Sequence, residues 1–416
     1  MTDPAFQEQV LTTRDGRVAL SVVPFGLTVH RLELRPHDAP VDVLVGPEEA
    51  KSHADGRAFF GSVVGRYANR LRAGKHEAGG KEFYLPEWGA PGVSHHGGPA
   101  RAQRAQRDMS LEQHGPFDQV YWTRLDDAAS MLYKPEEYSM LDAHAVYAIE
   151  SPNGDQGYPG RLRVEALIGV SSAGEDADEF MEMALGRCLG QAHVEYRAVL
   201  LDETVATPVN LAQHWGFNLA AAAKGGVKEN TIDEHQLRLT GQAGSPIRRL
   251  ALDAAGVSTG ELLLCSDPEH DWTKGKRIAA DMPGGGYDHY YLWGSKAVRS
   301  KPKVVLRSPS TGLALVFRTN QPGVQLYTAN GQPAREALAG ADPAAAGGVR
   351  KVVHRGEGEE AFANEQRSAA FLEFSAPHGT FVHESLQGED VAGGDTLLRP
   401  GQMYCSWVNI AACAEN

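Results

Sequence analysis

The chain has 416 residues and a formal net charge of −13. That length is enough for one large β domain or two ordinary domains, and the acidic balance argues against a nucleic-acid partner, which would require a basic face. No apolar run approaches the roughly 18 residues of a membrane-spanning helix, so we expect no membrane partner.

The cysteines and the N-terminus both bear on location. The four cysteines are scattered and form no C-x-x-C pair, which is typical of a reduced, intracellular protein rather than a disulfide scaffold. The first residues lack the basic and apolar regions of a signal peptide. We therefore expect a cytoplasmic protein.

Short apolar runs bounded by glycine and proline follow one another along the chain. The first two, Val18–Val23 and Leu27–Leu34, predict a hairpin. More than a dozen such strands with few helices predict an all-β fold, a large antiparallel β sandwich in a single domain over residues 1–416. The further predicted strands are Val41–Val45, Phe83–Leu85, Ala143–Ile149, Leu162–Val170, Val194–Leu201, Leu237–Leu239, Leu262–Leu264, Val304–Arg307, Leu313–Thr319, Val324–Tyr327, Phe371–Phe374 and Met403–Ile410.

Three polar or Ala/Gly-rich segments interrupt this pattern, near residues 99–113, 171–193 and 336–368. We expect them to be surface insertions that could roof a cleft or mediate association. The second carries an acidic cluster at Glu175–Glu179, which favours a solvated loop, and a candidate helix near Glu179–Cys188.

Thr207–Leu219 is the stretch around which the chain is organised. It follows a strand and the polar turn Asp202–Ala206, and it predicts a second strand with His214 near its end. A histidine held there can exchange a proton near neutral pH. The alternative is a core histidine with satisfied hydrogen bonds.

Glu373 is a carboxylate flanked by Phe371, Leu372 and Phe374. Buried without partners, it would cost several kcal/mol or become protonated. The alternative is an outward-facing glutamate that alternates with buried neighbours. Strand patterning also leaves unexplained Arg66, Asn69, Arg70, His95, His96, Asp288, His289 and Gln325.

A set of motifs extends from about Gly26 to Ile410, and the most specific are Ser151–Gly160 and Thr-Pro-Val-Asn-Leu-x-x-His. The others are Gly65–Arg70, His96-Gly97-Gly98, Phe117-Asp118, Thr259-Gly260, Asp288-His289, Gln321–Thr328 and Phe371–Glu373. Together, and in this order, they resemble the aldose 1-epimerases, the galactose mutarotases. The resemblance implies a β supersandwich with an open sugar-binding cleft, no metal and no organic cofactor.

The resemblance also implies roles for single residues. Glu373 falls on the family's general base, His214 on its general acid and His96 on its second catalytic histidine. Substrate-binding positions fall on Asn69, Arg70, Asp288 and Gln325. His95 stands where the family usually has leucine, Trp215-Gly216 replaces a small residue and tyrosine, and Pro377-His378 follows where the family often has Pro-Asp.

The expected function is interconversion of the α and β anomers of a free aldohexose of the galactose or glucose type. A base takes the proton of the C1 hydroxyl and an acid protonates the ring oxygen, from opposite sides of the hemiacetal. We expect an ionised Glu373 and a His214 kept charged by nearby carboxylates. Trp215 or Tyr290 could face the sugar's C–H surface, although core packing is the expected role of both. The partner is a small-molecule monosaccharide, and the chain is a monomer or homodimer.

Four alternatives stay open at this stage. The chain could be a sugar-binding relative without turnover, or a hexose-6-phosphate epimerase with extra basic residues at the cleft. It could be a glycosidase that uses Asp288 and Glu373 with carboxyl groups roughly 5–9.5 Å apart. A metal site from His95, His96, His214 and His289 lacks any recognised ligand spacing.

Overall fold

Antiparallel strands dominate the chain in this computed structural model, which describes residues 3–100, 111–173, 185–203, 205–222, 231–241, 246–296, 301–355 and 362–415. The acidic cluster Glu175–Glu179 lies outside the described residues, as do residues 101–110 of the segment near 99–113. The strands, in chain order, are β1 Gln9–Thr12, β2 Val18–Val23, β3 Thr28–Leu34, β4 Val41–Asp42, β5 Val63–Val64, β6 Arg70–Arg72, β7 Gly74–Ala78, β8 Lys81–Leu85, β9 Val93–His95, β10 Thr123–Leu125, β11 Ala143–Ser151, β12 Leu162–Ser171, β13 Arg187–Leu200, β14 Thr207–Pro208, β15 Ala212–Gln213, β16 Gly216–Phe217, β17 Gln236–Leu239, β18 Arg248–Leu252, β19 Ser258–Leu264, β20 Lys276–Arg277, β21 Asp288–Leu292, β22 Val304–Arg307, β23 Leu313–Thr319, β24 Gly323–Tyr327, β25 Ala370–Ser375, β26 Leu397–Leu398 and β27 Met403–Ala414.

Short 3₁₀ helices punctuate the loops between these strands. None of the helices among the described residues has the length and apolar composition that crossing a membrane would take. The 3₁₀ helices are Pro4–Phe6, Ala50–Ala54, Phe117–Gln119, Asp127–Ala129, Pro135–Tyr138, Asp155–Gly157, Leu219–Ala222, Arg335–Gly340, Val352–His354 and Glu384–Leu386.

Three sheets enclose the main core. A nine-stranded sheet has the order β10-β11-β12-β13-β27-β23-β22-β17-β20, a six-stranded sheet the order β16-β25-β24-β21-β18-β19, and a four-stranded sheet the order β1 to β4. The largest apolar cluster joins all three, for example through Val164, Leu20 and Leu372. The predicted antiparallel β supersandwich with few short helices is therefore confirmed.

Most predicted strands are present, and the predicted hairpin is β2 paired with β3. Thr207–Leu219 is not one strand. It is divided into β14, β15 and β16, which pair with β26, β5 and β25 respectively. Each short piece thus satisfies its backbone groups against a different part of the protein. This segment therefore joins three regions around His214.

Residues 179–184 of the predicted helix near Glu179–Cys188 lie outside the described residues, and the prediction is wrong at its C-terminal end. Arg187 and Cys188 already belong to β13, where they pair with Ala414 and Cys413 of β27. The rest of β13 within the segment near 171–193 continues this long ladder. Pairing with β27 at these two positions outweighs the local helical preference of this stretch.

Arg66, which strand patterning left unexplained, is only 2% exposed. Its burial is explained by its contacts with the loop Ser151–Gly160. Its guanidinium donates hydrogen bonds to the backbone carbonyls of Ser151 (2.8 Å), Pro152 (2.8 Å), Pro159 (3.0 Å) and Gly160 (2.9 Å). The fixed fork of donors suits this convergent set of acceptors. Arg66 therefore holds the Gly65–Arg70 segment against that loop.

Arg66→Lys should lower the free energy of unfolding by at least about 3 kcal/mol. A lysine keeps the charge but cannot reach four carbonyls, and each hydrogen bond to a charged group contributes about 1.5–3 kcal/mol. Urea unfolding measures the effect. The control is Arg124→Lys, since Arg124 is exposed and its guanidinium donates to Gln9. Equal stabilities of the two variants would contradict this role of Arg66.

Candidate active site

The candidate catalytic carboxylate lies on the face of the six-stranded sheet that turns away from the main core. On β24 and β25, Leu326 and Leu372 belong to that core. Side chains alternate between the two faces of a strand, so Gln325 and Glu373, which are paired across the two strands, lie on the other face. Glu373 is nevertheless only 4% exposed. The outward-facing alternative for Glu373 is therefore wrong, because other segments cover this face as well.

Strand pairing extends this face to three neighbouring strands. Asp288 of β21 lies opposite Tyr327 of β24, which in turn lies opposite Phe371 of β25. Directly opposed residues share one face of an antiparallel sheet. The sheet thus forms a floor that carries Asp288, Tyr327, Phe371 and Glu373.

A second set of polar groups comes from β6 and β9, where Arg70 is paired with His95. The backbone N–H of Asn69 donates to His96 Nδ1 (3.1 Å), and the N–H of His96 donates to the carbonyl of Asn69 (3.1 Å). Gly97 follows because a Cβ there would stand 1.9 Å from the carbonyl oxygen of Gly65. These contacts fix Asn69 and His96 relative to each other.

His214 follows β15 and reaches the sheet floor directly. Its N–H donates to the carbonyl of Ser62 (2.8 Å), which fixes its backbone. Its Nε2 lies 3.4 Å from Glu373 Oε1. The imidazole also packs on the rings of Phe371 and Phe59, with centroids 4.9 and 5.6 Å away. The expected arrangement, with the two groups on opposite sides of a hemiacetal, is therefore wrong. The imidazole and the carboxyl group are direct neighbours.

These groups converge on one cavity of about 620 Å³. Gln325 shares the sheet face of Glu373 but is not among the residues that line the cavity. Its Nε2 donates to Asp288 Oδ1 (2.6 Å), so Gln325 orients Asp288. The predicted site residues that line it are Asn69, Arg70, His96, His214, Asp288 and Glu373, and His95 lines it as well.

Burial opposes charge on both members of the central pair. It raises the pKa of Glu373 to about 8, with Asp288 raising it further and Arg70 opposing. It lowers the pKa of His214 to about 4. The expectation of a charged imidazole is therefore wrong for this cavity, because desolvation outweighs the backbone hydrogen bonds that raise the pKa of His214.

His96 is held as a neutral ring. Burial, followed by the neighbouring His95, lowers its pKa well below the usual range. Because Nδ1 accepts the Asn69 N–H, the single ring proton is on Nε2. His96 can therefore donate a hydrogen bond to an oxygen without changing its own charge.

Each of the two arginines that line the cavity in the described chain is paired with a carboxylate. Arg57 forms a bidentate pair with Asp118, at 2.8 Å for both contacts, and Arg70 Nη2 lies 3.2 Å from Asp288 Oδ2. A phosphate group usually needs cations that are available to bind it. This cavity therefore suits an uncharged ligand with many hydroxyl groups.

Comparison with known proteins agrees with this fold and shows the family. The sequence matches the family model described as aldose 1-epimerase over residues 9–175 and 181–372. The chain belongs to the aldose 1-epimerase family. It is thus an isomerase. The match ends one residue before Glu373. The candidate role of Glu373 as a catalytic base therefore depends on its position in the site.

Relatives and solved structures support the family and its fold. The galactose mutarotase of Bos taurus is 29% identical over 323 residues, which cover 76% of each chain. The GalM/aldose epimerase homologue from C. elegans has a TM-score of 0.68 at 16% identity and covers 99% of this chain and 100% of its own. The galactose 1-epimerase from Lactobacillus acidophilus has a TM-score of 0.65 at 19% identity, with coverage of 98% and 95%. At these identities the two structures show the fold alone.

Three residues that the sequence suggested for sugar contact or metal binding do not line the cavity of this aldose 1-epimerase family member. Trp215 Nε1 donates to the carbonyl of Leu372 (2.9 Å), and the Tyr290 hydroxyl donates to the carbonyl of Ser375 (2.7 Å), so both are packing residues. His289 packs against His270, with centroids 4.8 Å apart. Within the described residues, the set that could hold a metal ion is His96, His214 and Glu373, whose candidate ligand atoms lie within 4.8 Å of one another.

The aromatic surface of the cavity was missed by sequence reasoning. It consists of Phe59, Tyr327 and Phe371. Alternation from Gln325 along β24 could have identified Tyr327. Phe59 has no such signal, because its place depends on a left-handed backbone conformation (φ 59°) in an irregular loop.

Glu373→Gln should stabilise this family member, by up to a few kcal/mol at pH 9 and by little at pH 4. Folding raises the pKa of Glu373 from 4.5 to about 8, so its stabilising contribution is present below pH 4.5 and is lost as the pH rises through about 8. One pKa unit corresponds to about 1.4 kcal/mol. Glutamine has no proton to lose and avoids this loss.

Thermal unfolding of the wild type and the variant between pH 4 and pH 9 measures the difference. The control is Glu261→Gln, at an exposed position. A difference in melting temperature that stays constant across this range would contradict the raised pKa of Glu373.

Proposed function

We propose that the protein interconverts the α and β anomers of a free aldohexose by acid–base opening and closure of the ring. The observation that carries this proposal is the contact of Glu373 with His214 at 3.4 Å, inside a cavity lined by polar and aromatic side chains. A cytoplasmic location is part of the proposal and is supported by the free state of the four cysteines.

The geometry of the pair suits a hemiacetal. The C1 hydroxyl and the ring oxygen are bonded to the same carbon, so a base for one and an acid for the other must themselves be close together. Opening removes the hydroxyl proton and delivers a proton to the ring oxygen, which gives the open-chain aldehyde. Rotation about the C1–C2 bond and closure then produce the other anomer, and the two proton transfers run in reverse.

One shared proton is enough for this chemistry. With that proton on His214, Glu373 is the base and the imidazolium is the acid, as the family resemblance implies. Before a sugar binds, burial favours the tautomer of the pair that has the proton on Glu373. The two forms contain the same number of protons, so they interconvert without exchange with solvent and the pair titrates as one unit.

The surrounding residues suit the hydroxyl groups and the ring. The Asp288 carboxylate, oriented by Gln325 and Arg70, accepts hydrogen bonds from hydroxyls, and Arg70 donates them. The Nε2–H of His96 can stabilise negative charge on an oxygen as it develops. The rings of Phe59 and Phe371 can contact the C–H faces of the sugar.

Polarimetry tests the proposal. Freshly dissolved α-D-galactose or α-D-glucose should reach its equilibrium rotation faster with the protein present. Glu373→Gln should reduce kcat by about 10²–10⁴-fold, the usual contribution of one acid–base group. Glu261→Gln should retain wild-type activity. Sugar binding without faster mutarotation would contradict catalysis and favour a binding protein.

The dependence of kcat/KM on pH should be bell-shaped. The active form holds one proton on the pair. It loses that proton as the pH rises through about 8 and gains a second as the pH falls through about 4. Polarimetric rates in a series of buffers measure the profile. A rate that changes only once, near pH 6.5, would show that an ordinary histidine controls it instead.

A further inference from the structure

The cavity has a second wall that the proposed reaction does not use. The segment Gly331–Ala346 faces the sheet floor and contributes small side chains to the lining, among them Pro333, Ala341, Ala345 and Ala346. Two polar residues interrupt these small side chains. They are Asp342 and Gln332, whose buried Oε1 has no hydrogen-bond partner.

The space between floor and wall is larger than one hexose requires. Water takes up about 30 Å³ per molecule in the liquid, so a cavity of about 620 Å³ corresponds to roughly twenty water-sized groups. A hexose has about twelve non-hydrogen atoms and a disaccharide of two hexoses about twenty-three, none larger than a water molecule. One hexose therefore fills at most about three-fifths of the space, whereas a disaccharide approaches its full size.

The wall is firmly attached to the body of the protein. A Cβ at Gly56 would lie 2.5 Å from the carbonyl oxygens of Ala344 and Ala345, so the two backbones meet without room for a side chain. Beyond the wall, Lys351 is 1% exposed and its Nζ lies 2.6 Å from Asp42 Oδ2. The space is thus part of the packed structure.

The chemistry of the reaction determines which part of a ligand can reach this wall. C1 and the ring oxygen must lie at Glu373 and His214, and C1 must carry a free hydroxyl. Any additional group on the substrate therefore extends from the opposite end of the ring. Small apolar side chains suit the C–H face of a second sugar ring, and Asp342 and the Gln332 carbonyl can accept hydrogen bonds from its hydroxyls.

We propose that Gly331–Ala346 forms a second sugar subsite and that the preferred substrates are reducing disaccharides, whose non-reducing unit occupies this subsite. The inference depends on the proposed anomer interconversion at Glu373 and His214. It specifies the substrate class of the same site.

Polarimetry on matched sugars tests the subsite. α-D-Glucose is compared with two disaccharides that have glucose as the reducing unit, namely α-lactose, linked through O4, and β-melibiose, linked through O6. At least one disaccharide should have a kcat/KM equal to or above that of glucose. Ala345→Phe fills the wall and should lower the ratio of disaccharide to glucose kcat/KM at least tenfold.

The matched control is Ala344→Phe. Ala344 is the preceding residue and is also exposed, but it does not line the cavity, so the ratio should stay at the wild-type value. Catalysis on glucose but on neither disaccharide would overturn the subsite alone, as would an equal ratio for both variants. Failure to accelerate any of the three sugars, or galactose, would overturn the proposed function and the subsite with it.

Discussion

Burial of a carboxyl group beside an imidazole is the constraint on which the site depends. Both faces of the six-stranded sheet are covered, so the Glu373 side chain is almost completely buried although it lines the cavity. Desolvation there acts against the carboxylate and the imidazolium alike. A pair that shares one proton carries no charge, so burying it costs little free energy. The two groups can therefore be kept 3.4 Å apart. A protein that only had to fold would be more stable with an apolar residue at this position.

The other elements of the site hold this pair and its ligand in place. Arg66 fixes the segment that carries Asn69 and Arg70, and the hydrogen bond from the Asn69 N–H to Nδ1 fixes the ring of His96. Each arginine of the described cavity lining is neutralised by a carboxylate. The cavity is thus polar and oriented but carries little free charge, as recognition of a neutral sugar requires. The wall formed by Gly331–Ala346 adds a surface of a different kind, made of small side chains.

Much of the fold follows from the sequence, because alternation and turn residues are local signals. Strands such as Val304–Arg307 and Leu313–Thr319 have the predicted bounds. Thr207–Leu219 was predicted as one strand because its apolar content does not reveal that three separate partners divide its backbone. The end of the predicted helix at Arg187 and Cys188 was wrong for a similar reason, since pairing with a strand at the far end of the chain decides the outcome.

The sequence predicted which residues form the site better than it predicted their protonation states. An acidic residue within Phe-Leu-Glu-Phe is conspicuous, and the family resemblance supplied its partner. The sequence could not show that the second face of the sheet is also covered. Without that information Glu373 could be solvated or buried, and His214 charged or neutral. The places of Phe59 and of Ala345 depend on irregular loops, for which periodicity provides no guide.

The protonation state of Glu373 tests the central claim most directly. Infrared difference spectra of the wild type against Glu373→Gln, recorded as the pH is raised, isolate the carbonyl band of this one carboxylic acid. A band that persists at neutral pH and disappears with a midpoint near pH 8 is the result that burial predicts. A band already lost near the ordinary glutamate pKa of about 4.3 would show a solvated carboxylate and contradict the shared-proton pair.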